Sequence, residues 1–446
     1  MVPKGDSGET KERSSPGAGA NPSIYVIFIS LILDLLAFTV ILPLLPSILE
    51  HYEQEAEGDL YHQLKASVSF FQSVLDVPDK FTSVLFGGFL GSMFCLLQFV
   101  ASPLIGSLSD VYGRKPVLLA TMCGICMSYI IWSLASSFAL FVLSRIIGGL
   151  SKGNISLSTA IVSDLSSEET RGKGMALIGV AFSIGFIVGP LIGALFFKFG
   201  GGSFLFPALF SVTLSALNIV FIACKFPESL PAHSRCQSVM GSMKEAVEMV
   251  SPASLFAFRP VKRLKDRDRD MLVTLGRGYF WYLFVYSGLE FSLTFLVHLR
   301  FQFTSVDQGK MFCFIGIVMA LLQGGYVRRI SPGKEIPLVV RALMVLAPSF
   351  VIIAFAHSIV VLYGGLLLFA YGSAVIVPCL TTAVSRIGGP DEKGAIMGTF
   401  RSLGALARGL GPFVACSLYW CVGPKLCYLL GGMAMILPYL LIKKLK

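Results

Sequence analysis

Twelve apolar stretches, each about 20 residues or longer, constrain this chain more than any other feature. A helix of that length crosses a hydrocarbon core roughly 30 Å thick. Backbone groups in lipid must bond to one another, which leaves helices or closed barrels, and these stretches are too long and unbroken for barrel strands. The expected spans are 23–49, 81–108, 116–136, 138–164, 171–199, 203–225, 278–300, 309–330, 336–356, 358–385, 394–420 and 424–442. Only 14% of the residues are charged, against about one quarter in soluble domains. The expected fold class is an all-α polytopic membrane protein. The first stretch starts near Ser23 and can serve as its own insertion signal, so no cleaved leader is expected.

The net charge of +10 raises nucleic acid as a partner, and the distribution of that charge removes it. An even number of spans puts both termini on one side. Of the 36 Lys and Arg, 25 then lie on that side and 6 on the other, which marks the side of the termini as cytosolic. Residues 1–22 are polar and rich in Gly, Ser and Pro, and read as a disordered cytosolic tail. Residues 226–277 read as a basic cytosolic linker whose charge run, Val261 to Asp270, is drawn to the membrane surface. On the other side, residues 50–80 begin acidic, and Tyr61 to Leu75 fits an amphipathic surface helix. The ten cysteines lie mostly inside spans. Cys123 and Cys126 have CxxC spacing within an apolar helix and read as core thiols. No metal site or cofactor is expected. Lys443 and Lys444 make a dilysine-like retrieval pattern that helix-flanking charge explains equally well, so the plasma membrane and intracellular membranes (vesicle, ER or nuclear envelope) both stay open.

The chain also repeats. Shifted by 222 residues, Arg171 meets Lys393, Gly172 meets Gly394, Met175 meets Met397, and Gly189-Pro190 meets Gly411-Pro412. Two six-helix halves follow, at 23–225 and 278–446. Parallel halves of this kind are a transporter architecture, with substrate held at their interface near the midplane.

Charged and small residues inside the spans mark the candidate sites. Gly106 to Pro116 is a short charged hinge in which Asp110 and Arg114 are one helical turn apart, and Gly106 and Gly113 permit a tight turn or close approach. Its counterpart, Gly325 to Lys334, has Arg329 in place of the Asp, so the charge lock is expected mainly in the first half. Asp164 ends the fourth span on the same side. Asp34 lies near midplane in the first span, where a bare carboxylate costs roughly 2.5–3.5 kcal/mol and needs a wet cavity or a cation. Pro43 and Pro46 kink the outer end of that span. Arg145 and Lys152, seven apart in the fourth span, share a helix face. Gly185, Gly189 and Gly193 recur every four residues beside Pro190 and make a smooth packing face. Glu290, Thr294 and His298 form one stripe on the seventh span. Burial penalises a charged carboxyl, which suits Glu290 to carrying a proton near neutral pH. His298 is either a rim residue or part of a relay. Arg401 and Arg408 lie in the eleventh span, Arg401 within snorkelling reach of the cytosol. Arg408 is deeper, and its planar fork either pairs with Asp34 or Glu290 or meets an anionic substrate.

These motifs, in this order, resemble those of the major facilitator superfamily, in the drug:proton antiporter branch that includes tetracycline efflux proteins. The pattern is most similar to the vertebrate tetracycline-transporter-like proteins. Gly106, Asp110, Gly113, Arg114 and Lys115 match the signature loop between helices 2 and 3. Arg145 with Gly149 resembles the helix 4 signature. Gly185, Gly189, Pro190 and Gly193 resemble the antiporter motif of helix 5. Asp34, Pro43 and Pro46 resemble the first helix of tetracycline exporters. The resemblance implies the major facilitator fold, with twelve helices in two pseudo-symmetric halves. It also implies that Asp110, Arg114 and Asp164 form a charge relay holding the outward-open state, and that organic anions, drug-like ones included, are carried. Glu290, Arg401 and Arg408 depart from the bacterial tetracycline pattern.

Four cations in the spans near the expected cavity (Arg145, Lys152, Arg401, Arg408) against two acids (Asp34, Glu290) favour an anionic small-molecule substrate. Arg145 and Arg408, with Arg401, would hold it, and Asp34 or Glu290, with His298, would move the coupling proton. The chain is expected to work as a monomer in the bilayer. An exporter of amphiphilic cations, with Asp34 and Glu290 as cation sites, and a non-transporting scaffold or receptor are the alternatives. The sequence has no P-loop, no HExxH and no nucleophile motif of the Gly-x-Ser-x-Gly kind, so an enzyme is not expected.

Overall fold

The computed structural model describes residues 22–54, 59–166, 168–231, 235, 247, 250–261, 265–331, 333–387 and 393–445. The tail at 1–21 and much of the linker at 226–277 lie outside them. Among the described residues every regular element is a helix.

The first span is bent. Helix α1 (Pro22–Thr39) gives way to a 3-10 turn at Leu42–Leu44 and then to α2 (Leu45–Gln54). Pro43 sits in the turn and Pro46 in the first turn of α2, where a missing N–H leaves no helical bond broken. A lateral helix, α3 (Leu60–Val74), is capped by Asp59, whose carboxylate accepts from Leu60 N–H at 2.7 Å. The chain then runs through α4 (Thr82–Tyr112), α5 (Arg114–Ser133), α6 (Phe138–Ser151), α7 (Asn154–Leu165), α8 (Glu168–Phe199) and α9 (Leu205–Lys225). A short helix, α10 (Pro252–Phe256), precedes α11 (Asp266–Phe301), α12 (Ser305–Gly325), α13 (Glu335–Phe355), α14 (Ile359–Ser385), α15 (Lys393–Ala434) and α16 (Ile436–Lys443).

Two boundaries differ from expectation. The fourth span is broken at Lys152–Gly153 into α6 and α7, which turns Lys152 out of register with Arg145. The seventh span begins at Asp266, within the expected linker. Asp266 and Asp268 occupy its first turn, where negative charge meets the positive end of the helix dipole, and Leu272 and Leu275 are fully buried. The last two spans divide where the expected 394–420 and 424–442 do, and the 49-residue run that holds them is long enough for two crossings. The run folds back at Gly423, whose φ of 78° and ψ of 171° suit glycine alone. As a result Cys427 Sγ lies 3.4 Å from Ala415 O, although twelve residues of straight helix would separate them by about 18 Å. Counted this way, the described residues hold twelve segments long and apolar enough to cross.

Gly113 makes the same kind of hinge by itself, joining α4 to α5 at φ 101° and ψ 156°. A Cβ there would also stand 2.5 Å from Glu228 Oε2. Gly113→Ala is expected to cost about 1–3 kcal/mol, read as a lowered melting temperature in detergent.

Small residues set how closely helices approach. In the first half, Gly185, Gly189 and Gly193 of α8 lie against Leu35, Thr39 and Val40 of the first span. In the second half, Gly411 of α15 lies against Phe284, Ser287 and Gly288 of α11, in the equivalent place. Two seams join the halves. Along one, Gly88 of α4 meets Pro412 and Cys416, Gly409 meets Leu96, and Ser92 Oγ accepts from Phe413 N–H at 2.7 Å, beside the bend at Pro412. Along the other, Gly309 and Gly316 of α12 meet Pro190, Leu191 and Ile187 of α8.

The seams close at one end only. We call the membrane face carrying both chain ends the terminal face and the opposite one the far face. Gly87 and Gly91, toward the far face, are jammed against Phe295 and Phe291, and Phe81 packs edge-on against Tyr419 with ring centroids 5.4 Å apart. At the terminal-face ends of the same helices, Gly106, Gly179, Gly324, Gly325 and Gly398 have nothing within 4 Å of a Cβ position. The apolar core divides accordingly. A separate cluster including Ile27, Leu31, Leu118, Leu157, Ile161 and Ile222 belongs wholly to the first half. The close glycine and ring contacts between the halves therefore gather toward the far face and thin out toward the terminal face.

Candidate functional site

At the terminal face, Arg114 Nη1 is 2.6 Å from Asp110 and its Nε is 2.8 Å from Asp164, with the guanidinium only 9% exposed. Ser109 Oγ accepts from the same Nη1 at 2.6 Å. The trio is assembled on the side where the close contacts between the halves thin out. Gly106 lies beyond it without a close neighbour.

Glu228, just after α9, was not singled out from the sequence. Its carboxylate accepts from Arg114 N–H at 2.9 Å and Lys115 N–H at 3.2 Å, and so caps the start of α5 with negative charge. The signal was a lone acid directly after a span, 114 residues from its partner and with no periodicity to announce it.

The one-sided charge lock is corrected. Glu335, at the start of α13, pairs with Arg386, at the end of α14, at 2.8 Å. Arg386 is Asp164 shifted by 222 residues, and Glu335 is Arg114 shifted by 221. Both halves therefore tie the start of one helix to the end of the next, with the signs exchanged. The Asp110 position alone does not reveal this, because the second pair stands on reversed charges. Glu335→Arg is expected to lower the melting temperature, and adding Arg386→Glu to restore most of the loss.

Deep in the first half, Asp34 takes both its oxygens to Lys152 Nζ, at 2.8 and 3.0 Å. The two side chains are 5% and 2% exposed, and the ammonium also sits 4.7 Å from the Phe38 ring centroid. The helix break at Lys152–Gly153 places this lysine. Among the described residues Arg145 has no acid partner. Its guanidinium lies between the rings of Trp132 and Phe141, 5.5 Å from each, and Nη2 has no hydrogen-bond partner. Asp34 is thus matched to Lys152, and not to Arg408.

In the second half, Glu290 Oε1 accepts from the Tyr286 hydroxyl at 2.9 Å, and Tyr286 is reached by Ser373 Oγ at 2.9 Å. Tyr286 is held by stacking on Phe369 and Tyr282. Arg408 is open to solvent and lies within electrostatic reach of Glu290, Tyr279 and the Cys95 thiol. Tyr279 is fixed by stacking on Phe400, ring centroids 4.0 Å apart. Arg401 is also open to solvent and donates to Thr159 Oγ1 across the cleft at 2.9 Å. Among the described residues neither Arg401 nor Arg408 forms an ion pair with an acid.

The stripe on α11 does not form a relay. Thr294 donates back to Phe291 O of its own helix at 2.9 Å. His298 is turned to the far face, where Nε2 meets Glu50 at 2.7 Å. Eight residues, about 12 Å of helix, separate it from Glu290.

Helices long enough for twelve crossings, in two equivalent halves with ionisable side chains where they meet, are the architecture of a multi-pass membrane transporter. The family model of the Major Facilitator Superfamily matches residues 27–412, and the chain belongs to that family, which is one of transporters and not of enzymes. It is 47% identical over 429 residues to the major facilitator superfamily domain-containing protein 10 of Mus musculus, spanning 95% of this chain and 92% of the relative. It is 24% identical over 405 residues to the class C tetracycline resistance protein of Escherichia coli, covering 90% of each. The crystal structure of the human organic anion transporter MFSD10 (TETRAN) superposes with a TM-score of 0.80 at 45% identity, covering 96% of this chain and all of that one.

Proposed function

We propose that this transporter carries small organic anions across its membrane by alternating access, with Arg408 as the principal anion-binding group. The observation that carries the reading is the solvent-open Arg408 beside Tyr279, in a cleft whose nearest acid, Glu290, is already held by Tyr286. Pairing Asp34 with Lys152 removes one acid and one cation together, so three cations still face one acid, and buried charge seeks a partner. The human relative's description as an organic anion transporter supports the same class of cargo. Arg401 flanks the entry, and Arg145 meets the anion from the first half once the far face opens. Glu290 is the group for a coupling proton, because its hydrogen-bonded chain to Tyr286 and Ser373 can accept either charge state. With both termini in the cytosol, as the Lys and Arg distribution favours, the terminal face is the cytosolic one. The chain acts as a monomer, with its two six-helix halves as the moving parts.

Export of cations loses much of its support, since Asp34 is occupied by Lys152. Uptake of radiolabelled organic anions into proteoliposomes tests the proposal. Saturable uptake that is inhibited by other organic anions is expected. Absence of saturable uptake, or competition only by cations, would overturn it.

A further inference from the structure

Among the described residues, His298–Glu50 is the ion pair that joins a span of one half to a span of the other. Glu50 belongs to α2 and His298 to α11, and Nε2 to Oε1 is 2.7 Å. His298 is 18% exposed and Glu50 43%, so the pair stands at the rim of the closed far face and in contact with water. Directly beneath it, Phe291 and Phe295 press on Gly91 and Gly87 of α4. We infer that Glu50 and His298 are a gating pair of the transport cycle, an electrostatic latch that holds the far face closed when the imidazole is charged. This rests on the alternating-access reading and adds residues to it.

The surroundings leave this latch to these two groups. Glu50 is the acid that faces the imidazole, and the Phe303 carbonyl takes its other nitrogen at 3.1 Å. Glu53, nearly one turn along α2, is held by Lys65 of α3 at 2.7 Å. Arg300 is turned onto the carbonyls of Ile353, Ala354 and Ala356. Asp307, at the start of α12, is taken by Thr304 and Lys310. Glu290 is two turns deeper and held by Tyr286. With both ring nitrogens facing acceptors, the doubly protonated imidazole satisfies both contacts. A neutral ring has one N–H and can satisfy only one. Raising the pH at the far face until the imidazole gives up its second proton therefore removes one charge-assisted bond, and the far face opens more often.

The test uses Thr294→Cys, a buried position one turn beneath the latch on the same helix. A membrane-impermeant maleimide is applied from the far side of sealed, oriented vesicles, with the chain lacking this cysteine as background. Labelling should speed up about two- to fivefold between roughly pH 5.5 and pH 8, the size expected of a half-exposed ion pair. His298→Gln and Glu50→Gln keep a hydrogen bond available and should label fast at both pH values. His298→Lys keeps a charge that does not titrate in this range and should label slowly at both. An unchanged pH response in His298→Gln and Glu50→Gln would overturn the latch, as would slow labelling of both at high pH. The readout needs no substrate, so its failure is separate from failure of the anion reading.

Discussion

Lys152→Ala is expected to destabilise the protein by about 3–5 kcal/mol, because it leaves the Asp34 carboxylate buried without its countercharge. The two oxygens reach the ammonium at 2.8 and 3.0 Å, and both side chains are almost fully enclosed. Water does not replace the lost partner at such burial. A melting curve in detergent reads the loss directly. The double variant Asp34→Leu with Lys152→Met should recover most of it, since an apolar pair of similar volume removes both desolvation costs. Transport by the double variant then separates two roles. A pair that only holds α1 to α6 leaves uptake intact, whereas a pair that opens during the cycle to exchange a proton leaves a stable protein with little coupling.

Arg408→Ala should lower anion uptake by about thirtyfold or more, with little change in melting temperature. Truncating one member of a desolvated, hydrogen-bonded charge pair costs about 2–5 kcal/mol, and each 1.4 kcal/mol is tenfold. Arg408 lacks an internal ion-pair partner among the described residues, so its removal leaves no orphaned acid behind. Arg408→Lys should recover only part of the activity, because an ammonium cannot offer the planar fork. Arg401→Ala should lose less, since Arg401 is engaged by Thr159 near the terminal face in the present state.

The spans and their pairing into halves were legible because they rest on local pattern. Length and hydropathy set each crossing, and glycine spacing set which faces touch. Gly185, Gly189 and Gly193 met the first span as such a face must. What the pattern hides are partners far apart in sequence. Asp34 and Lys152 are 118 residues apart, and the break that brings the lysine inward depends on how Gly153 packs against Ile105. A heptad reading instead keeps Arg145 and Lys152 on one face. Glu228 was invisible for the same reason. The Glu335–Arg386 pair could have been found by applying the 222-residue shift to Asp164, but a search for matching charges passes over an exchanged pair. His298 was visible as a rim residue, and its partner Glu50 was hidden in an acidic run that reads as solvated loop.

The central claim is that the cleft holds an anion through Arg408. The most direct measurement compares binding of an organic carboxylate and its uncharged methyl ester to the purified protein, each with wild type and with Arg408→Gln. The expected result is binding of the carboxylate to wild type, with affinity lost in Arg408→Gln and for the ester. Equal binding of carboxylate and ester, or carboxylate binding untouched by Arg408→Gln, would contradict it.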